Sequence, residues 1–138
     1  MNKTVEFFVT LAKIQSILSR KFDAKLNGIS FNEFIILLQL SNSDEGKMRR
    51  VDLADKVGLT ASGVTRLLLP MEKIGLVKKQ ADPRDARASY ISIASGGKQK
   101  LEEAIERAEL YFEDILSTAQ TKQIESNLDF FAELSKIV

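Results

Sequence analysis

Two arginines near the middle of the chain stand in a pattern suited to binding a polyanion. Arg84 and Arg87 alternate with Asp82 and Asp85 in the polar segment DPRDAR. A guanidinium group donates hydrogen bonds in a planar fork that matches phosphate oxygens and the O6 and N7 atoms of guanine. The aspartates are near enough in sequence to hold the arginines by ion pairing, which on an exposed surface contributes only about 0–1 kcal/mol. The pattern therefore favours contact with a partner over stabilisation of the fold.

A second group of candidate contact residues precedes this segment. Ala61, Ser62, Thr65 and Arg66 are small, hydroxyl-bearing or cationic side chains at the front of a predicted helix. Such side chains let a helix approach another surface closely, and Arg66 adds donors for phosphate or guanine. The pattern is also typical of a short amphipathic helix with a solvated polar face, so these residues alone leave both interpretations open.

The helix that carries these residues is one half of a helix-turn-helix pattern. A first helix is predicted over Val51–Val57 and ends at Gly58, because glycine adopts a left-handed conformation without a steric penalty. Leu59 is expected to pack beneath the turn, and Thr60 is expected to cap a second helix that runs to about Ile74. The predicted buried face of this second helix consists of Val64, Leu67, Leu68, Met71 and Ile74.

The arginine-rich segment lies between two predicted strands, Leu76–Gln80 and Ser89–Ile93. A loop this polar cannot bury itself, so it is expected to project from the protein. An arginine on a projecting loop is suited to the narrow, electronegative minor groove of DNA, and its neighbour to the flanking phosphates. An ordinary solvated hairpin is the alternative interpretation.

Helix-turn-helix, hairpin and DPRDAR together resemble the MarR family of bacterial transcription regulators. The family's D-x-R-D-x-R wing pattern is matched by Asp82, Arg84, Asp85 and Arg87 at every fixed position. The segment LTASGVTRLLLPMEKIGLV, which begins at Leu59, follows the family's helix segment. The resemblance covers about residues 30–100.

The resemblance implies a mainly α (α+β) fold. A winged helix-turn-helix DNA-binding lobe in residues 30–97 would be flanked by an N-terminal dimerisation helix in residues 1–29 and by C-terminal dimerisation helices in residues 98–138. A third short strand at Met48–Arg50 would lie beside the wing.

The resemblance also implies a repressor that binds double-stranded DNA as a homodimer, at a pseudopalindromic operator with half-sites about 10 base pairs apart. Its DNA-contacting residues would be Ala61, Ser62, Thr65 and Arg66 in the major groove, and Asp82, Arg84, Asp85 and Arg87 at the wing. Within the wing, Arg84 would enter the minor groove, Arg87 would hold a phosphate and Asp85 would orient the arginines.

Regulation by a small aromatic or phenolic effector is a further implication of the resemblance, since family members often release DNA when such an acid binds between the dimer helices and the DNA-binding lobe. No residue of the sequence identifies this ligand, so a repressor without an effector and an activator both remain open. A protein-interaction module of winged-helix fold, with DNA binding lost or non-specific, is the alternative from a different functional class.

Composition argues against an enzyme. The 138 residues suffice for one domain or two lobes that share a core. They include no histidine and no cysteine, which removes the commonest general base and metal ligand, disulfides and thiol-based oxidation sensing. No motif fixes two carboxylates in a cleft, so we expect no cofactor and no metal. No stretch approaches the ~20 apolar residues of a membrane span, and the signal-peptide pattern is absent, so we expect no membrane association and a cytoplasmic protein.

Charge is distributed unevenly along the chain. Between Lys47 and Arg87 there are ten basic and five acidic residues, whereas from Lys98 onward there are five basic and nine acidic residues. A phosphate-binding surface must be electropositive, so the middle of the chain is expected to face DNA and the C-terminal helices to face away from it.

Long amphipathic helices are predicted on both sides of the central segment. They cover Thr4–Leu26 with a stop at Asn27 and Gly28, a helix capped by Ser30 and Glu33 with Phe31, Phe34, Ile35 and Leu38 as its buried face, and the two C-terminal ranges Lys98–Ser117 and Thr121–Ile137. The first and last of these have more apolar surface than one small lobe can bury. Packing against a second copy and packing within one chain are both compatible with this pattern.

Three residues depart from the family pattern. Pro70 lies inside the second helix of the helix-turn-helix, where it removes a hydrogen bond, so we expect a kink or an early end. Gly63 lies in the first turn of the same helix, where it costs about 1 kcal/mol relative to alanine. Ala94 replaces a threonine cap, and Ser95 is the available substitute.

Overall fold

A computed structural model describes residues 1–138, the side chain of Ala86 excepted. Within the described residues there are seven α-helices, a 3-10 helix at Asp44–Gly46 and a three-stranded antiparallel sheet in which the last strand of the chain lies between the other two. The helices are α1 (Lys3–Asp23), α2 (Phe31–Ser41), α3 (Arg50–Val57), α4 (Ala61–Lys73), α5 (Ser95–Ile115), α6 (Thr118–Ser126) and α7 (Leu128–Ile137), and the strands are β1 (Lys47–Arg49), β2 (Val77–Asp82) and β3 (Asp85–Ile93). The predicted mainly helical winged helix-turn-helix fold, with its third short strand, is confirmed.

The core is formed where α2 meets α1, α3, α5 and the sheet. The capping box of Ser30 and Glu33 is present at the start of α2, as predicted. The fully buried residues of α2 are Ile36, Leu37 and Leu40, which the prediction did not include. The four predicted residues, Phe31, Phe34, Ile35 and Leu38, are half-buried, and three of them, Phe31, Phe34 and Leu38, pack against the core. Neighbours on several sides cover α2, so its periodicity could not indicate which face lies deepest.

The first helix of the helix-turn-helix ends, and the second begins, at the predicted residues. Gly58 ends α3 with a φ of 72°, and the Thr60 hydroxyl accepts a hydrogen bond from the Gly63 N–H at 3.0 Å at the start of α4. Leu59 is 36% exposed rather than packed beneath the turn. Ile74 is also exposed, contrary to prediction, because it lies just past the end of α4.

Pro70 does not end α4 early. The helix continues through Pro70 to Lys73, and the Pro70 carbonyl accepts a hydrogen bond from the Ile74 N–H at 3.2 Å. Proline lacks a backbone donor and its ring crowds the carbonyl four residues earlier, but the last turn after it keeps its hydrogen bonds. The first turns of α4, which hold the candidate contact residues, therefore precede the disturbance.

The hairpin is tighter than the sequence indicated. β2 and β3 extend into the predicted loop, so that only Pro83 and Arg84 lie outside the strands. The ladder shifts register between Ala81 and Asp82, and Asp82 then pairs with Asp85. The charged segment is therefore a strand-bounded turn with a fixed backbone.

The junction of the sheet with α5 depends on two glycines. Ala94 is the N-cap of α5 and provides no side-chain hydrogen bond, and Ser95 is the first helical residue instead of a substitute cap. Gly96 and Gly97 form the first turn with Ser95, which extends α5 beyond its predicted start at Lys98. A Cβ on Gly97 would overlap the Leu76 carbonyl oxygen, and one on Gly96 would lie 2.9 Å from the Gly75 carbonyl oxygen. Glycine therefore lets α5 press against the corner between α4 and β2.

The terminal helices differ from prediction at their ends. α1 ends at Asp23, and Asn27 and Gly28 turn the chain with φ of 58° and 97°. The predicted last helix is broken at Asn127, whose side-chain amide donates to the Gln123 carbonyl at 2.7 Å. Exposed large apolar side chains lie along α1, α5, α6 and α7: Val5, Phe7, Val9, Ile14, Leu110, Ile115, Ile124, Leu128, Phe130, Phe131 and Ile137. Among the described helices, none is both long enough and apolar enough to cross a membrane.

Candidate nucleic-acid interface

The front of α4 presents a small, polar surface. Ala61, Ser62 and Arg66 are exposed, and Thr65 is half-buried. The Thr65 hydroxyl donates to the Ala61 carbonyl at 2.9 Å, so its oxygen is left to accept and its methyl group to make apolar contact. Ser62 Oγ lies 3.3 Å from Thr60 Oγ1. The hydroxyl groups are thus held by the helix cap before any partner binds.

Gly63 belongs to this cap. Its N–H donates to Thr60 Oγ1, and a Cβ at this position would lie 3.1 Å from the same oxygen. That distance is tighter than an ordinary contact, so a larger residue would press on the cap. Gly63 has a low helix propensity, but the absence of a side chain leaves room for the capping hydroxyl of Thr60.

The described part of the chain offers Arg66 no ion pair, and the same holds for Arg84 at the tip of the hairpin. Both residues are exposed. Their guanidinium groups keep their donors for a partner. Among the eight candidate residues, these two cations have the greatest unused hydrogen-bonding capacity.

Each aspartate of the wing pattern holds the backbone two residues further on. Asp82 Oδ1 accepts from the Arg84 N–H at 2.9 Å, and Asp85 Oδ1 accepts from the Arg87 N–H at 3.0 Å. These are the local turns that aspartate side chains favour. The Arg87 Nε also lies 3.7 Å from Asp85 Oδ1, with the Arg87 side chain 95% exposed. The repeat D-x-R therefore fixes the backbone of both arginines and leaves their side chains in solvent.

Asp82 itself is not on the surface. Its side chain is 2% exposed, and its Oδ2 accepts from Arg49 Nη2 at 2.8 Å. The hydrogen bond from the Arg84 N–H, followed by the Arg49 guanidinium, holds the pKa of the Asp82 carboxyl below its usual value, although burial acts in the opposite direction. Asp82 was expected to project with the loop and to form ion pairs with the wing arginines. This was wrong, since its side chain is buried and its ion-pair partner is Arg49 from β1.

Sequence reasoning did not identify Arg49 as part of this site. The residue lies 33 positions before Asp82 and has no motif of its own. The predicted third strand beside the wing was the only available signal, because a residue at its end must lie near the hairpin.

No group of three or more metal-binding side chains occurs in the described part of the chain.

Comparison with known proteins agrees with this architecture. Residues 29–89 match the model of the MarR family. YdgJ of Bacillus subtilis, an uncharacterized HTH-type transcriptional regulator, is 24% identical over 133 residues, which span 96% of this chain and 79% of YdgJ.

Solved structures share the whole fold. The transcriptional regulator BldR from Sulfolobus solfataricus is 26% identical, covers 100% of both chains and has a TM-score of 0.83. NadR in complex with 4-hydroxyphenylacetate is 24% identical, with a TM-score of 0.80 and 100% and 98% of the two chains covered. Sco3205, a MarR family regulator from Streptomyces coelicolor in complex with DNA, is 21% identical, with a TM-score of 0.73 and coverage of 96% and 89%. Residues 29–89 of this chain thus resemble the MarR family, and the proteins to which the whole chain is similar are transcriptional regulators.

Proposed function

We propose that this regulator is a repressor that binds a pseudopalindromic operator as a homodimer in the cytoplasm. The observation that carries the proposal is the pair of exposed guanidinium groups, Arg66 on α4 and Arg84 at the hairpin tip, without ion-pair partners in the described chain. The lobe that bears them has ten basic and five acidic residues between Lys47 and Arg87. Such a surface is expected to attract the phosphate backbone.

In this proposal α4 enters the major groove with its N-terminal end. Ala61 and Ser62 allow close approach, and the Thr65 methyl group is available to a thymine methyl. Arg66 donates to guanine or to a phosphate, which its exposure permits. The half-buried position of Thr65 limits it to a supporting contact.

The wing makes the second contact. Arg84 enters the minor groove, Arg87 holds a phosphate, and Asp85 orients Arg87 through the backbone and guanidinium contacts described above. Asp82 acts from inside the wing, because its buried carboxylate has no path to DNA. Of the eight candidate residues, Asp82 is thus the one for which we propose an indirect role.

The exposed apolar side chains of α1, α5, α6 and α7 support a dimer. Phe7 and Phe131 pack with ring centroids 5.9 Å apart, so the two ends of the chain already form one apolar surface. Large contiguous apolar patches are uncommon on monomers and mark interfaces. A second copy of the chain, related by two-fold symmetry, would cover this surface and place two α4 helices on one side.

Release by a small aromatic acid is the regulatory part of the proposal, supported by the bound 4-hydroxyphenylacetate in the similarly folded NadR. By linkage, such a ligand must bind the DNA-incompetent arrangement more tightly than the DNA-bound one. A screen of phenolic and aromatic acids, with operator release measured by fluorescence anisotropy, tests it. If none of the acids changes operator binding, the effector part of the proposal is wrong and the protein is a repressor without an aromatic effector.

Selection of bound duplexes from a random DNA pool by the purified protein, followed by sequencing, tests the main proposal. We expect a pseudopalindrome with half-sites about one helical turn, or about 10 base pairs, apart. Arg84→Ala should then weaken binding to this operator and reduce the slope of log Kd against log salt by about one for each of the two copies of Arg84 in the dimer. Arg107→Ala, which removes an exposed arginine from α5, is the matched control and should leave the slope unchanged.

Recovery of no motif from a folded protein would overturn the specific-repressor proposal. Salt-dependent DNA affinity without sequence preference would instead favour the protein-interaction module. An unchanged salt slope in Arg84→Ala would refute the wing assignment while leaving the α4 assignment in place.

A further inference from the structure

We infer that Arg49 is a positioning residue for the wing, setting the backbone of Arg84 through the buried carboxylate of Asp82. The inference rests on the proposed function, since it requires that Arg84 contacts DNA. It concerns a residue outside the wing pattern and outside α4. No direct contact between Arg49 and DNA is needed.

The first support is the path of the Arg49 side chain. Arg49 ends β1 and Asp82 ends β2, but these strands are not neighbours, because β3 lies between them. Arg49 pairs with Tyr90 of β3, and Tyr90 pairs with Gln80 of β2. Directly paired residues project from the same face of a sheet. Arg49 therefore crosses the central strand on one face to reach Asp82 at 2.8 Å.

Tyr90 forms the platform for this crossing. The Arg49 Cζ lies 5.7 Å from the centroid of the Tyr90 ring, and the Lys47 Nζ lies 5.0 Å from it. Cations at these distances from an aromatic ring are attracted to it. Lys47 is also paired with Glu45 at 3.2 Å, whereas the guanidinium of Arg49 is directed to Asp82. Arg49 is thus the cation of this face that is connected to the wing tip.

The second support is that both oxygens of the Asp82 carboxylate accept hydrogen bonds. One oxygen accepts from Arg49 and the other accepts from the Arg84 N–H. Without Arg49, one oxygen of a side chain that is 2% exposed would lose its only cationic partner among the described residues. A buried charge without a partner is strongly unfavourable. The carboxylate is then expected to rotate towards water and release the Arg84 N–H.

The third support is the shortness of the tip. Only Pro83 and Arg84 lie outside the strands, so the Asp82 hydrogen bond acts on the very residue whose side chain is exposed. Arg49 is also the N-cap residue of α3. The backbone of Arg49 therefore lies at the start of the helix-turn-helix, where its side chain makes no capping hydrogen bond, and the side chain reaches the wing.

Asp82→Asn distinguishes a positioning role of Asp82 from a purely electrostatic one, because the two predict opposite changes in operator affinity. The substitution removes a negative charge beside the DNA, so electrostatics alone predicts tighter binding and a steeper salt dependence. It also replaces the buried carboxylate by a neutral amide, whose oxygen is a poorer acceptor and cannot form an ion pair with Arg49. Positioning therefore predicts weaker binding.

The experiment measures operator affinity and its salt dependence for Arg49→Gln, Asp82→Asn, Arg84→Ala and the double variant of Arg49 and Arg84. We expect each single variant to lose about tenfold in affinity. The double variant should lose little more than Arg84→Ala alone, because Arg49 acts through Arg84. Arg50→Gln is the matched control, since it removes the same charge from the neighbouring exposed residue. Its loss, of whatever size, should multiply with that of Arg84→Ala.

A structural readout accompanies the affinities. In amide correlation NMR spectra of the free protein, the Arg84 N–H resonance should shift in Arg49→Gln and in Asp82→Asn but not in Arg50→Gln. Arg49→Lys, which keeps a cation for Asp82, should restore most of the affinity. A general loss of folding would instead shift resonances throughout the lobe.

The outcomes distinguish this inference from the proposed function. If Arg84→Ala binds the operator like the wild type, the wing contact fails and the inference falls with it. If Arg84→Ala weakens binding but the losses of Arg49→Gln and Arg84→Ala multiply, or Asp82→Asn binds more tightly, the proposed function stands and the role of Arg49 is overturned.

Discussion

Gly97→Ala should destabilise the protein although it places alanine in a helix. The added Cβ would overlap the Leu76 carbonyl oxygen and lie 2.9 Å from Ile93 Cγ1. That carbonyl also accepts the Ala94 N–H at 3.0 Å, so moving α5 away weakens a hydrogen bond at the junction. Overpacking costs about 1–3 kcal/mol, and a lost buried hydrogen bond about 1–3 kcal/mol. The higher helix propensity of alanine compared with glycine offsets up to about 1 kcal/mol of this loss. We therefore expect a net loss of about 1–5 kcal/mol in the free energy of unfolding.

Urea unfolding followed by circular dichroism measures this loss. Protein concentration must be the same for all variants, since the stability of a dimer depends on it. Ser95→Ala, at an exposed position in the same turn of α5, is the control and should stay within about 0.5 kcal/mol of the wild type. An unfolding midpoint of Gly97→Ala equal to or above that of the wild type would refute the argument that α5 and the corner between α4 and β2 are in obligatory contact.

Three further outcomes follow from the geometry. Thr60→Ala should lower the free energy of unfolding by about 1 kcal/mol through loss of the α4 cap, and Thr60→Ser should restore it; equal urea midpoints for all three proteins would contradict the capping role. Leu128→Glu should give a monomer in light scattering because it places a charge on the exposed apolar surface, whereas Leu69→Glu, at similar exposure on α4, should keep the mass of the dimer; a dimeric Leu128→Glu would argue against that interface. Because the pKa of the Asp82 carboxyl is lowered on folding, its contribution to stability is complete above the usual aspartate pKa of about 3.9 and disappears as pH falls through the lower folded-state pKa. Asp82→Asn should remove this part of the acid dependence of the urea midpoint, and identical pH profiles for the two proteins would show that Asp82 makes no such contribution.

The sheet–α5 junction gives the Gly97 prediction a functional meaning. The corner between α4 and β2 belongs to the proposed DNA-binding lobe, whereas α5 continues into the proposed dimer surface. Close backbone contact at Gly96 and Gly97 means that the lobe and the start of α5 must move together. An effector that shifts α5 would thereby shift α4.

Local chemistry in the sequence determined much of the fold. Gly58, Thr60 and the capping box of Ser30 and Glu33 act on their own backbone within a few residues, and each was predictable for that reason. The D-x-R-D-x-R pattern located the hairpin tip, because its aspartates also act over two residues. The resemblance to the MarR family followed from these short-range patterns together.

Features that depend on distant neighbours were not predictable in the same way. The most deeply buried residues of α2 were not predicted, because other elements cover that helix on several sides. The break at Asn127 divides what the apolar periodicity indicated as one helix. Leu59 and Ile74 look like core residues by type, but the turns that hold them direct them towards solvent.

The wing shows the division most clearly. Its arginines, and the backbone turns that fix them, were determined by the sequence, because each interaction spans two positions. The burial of Asp82 and its pairing with Arg49 were decided only by the tertiary structure, in which β1 and β2 lie on opposite sides of β3. An ion pair that crosses a strand has no period or spacing in the sequence, since it exists only after the sheet has formed.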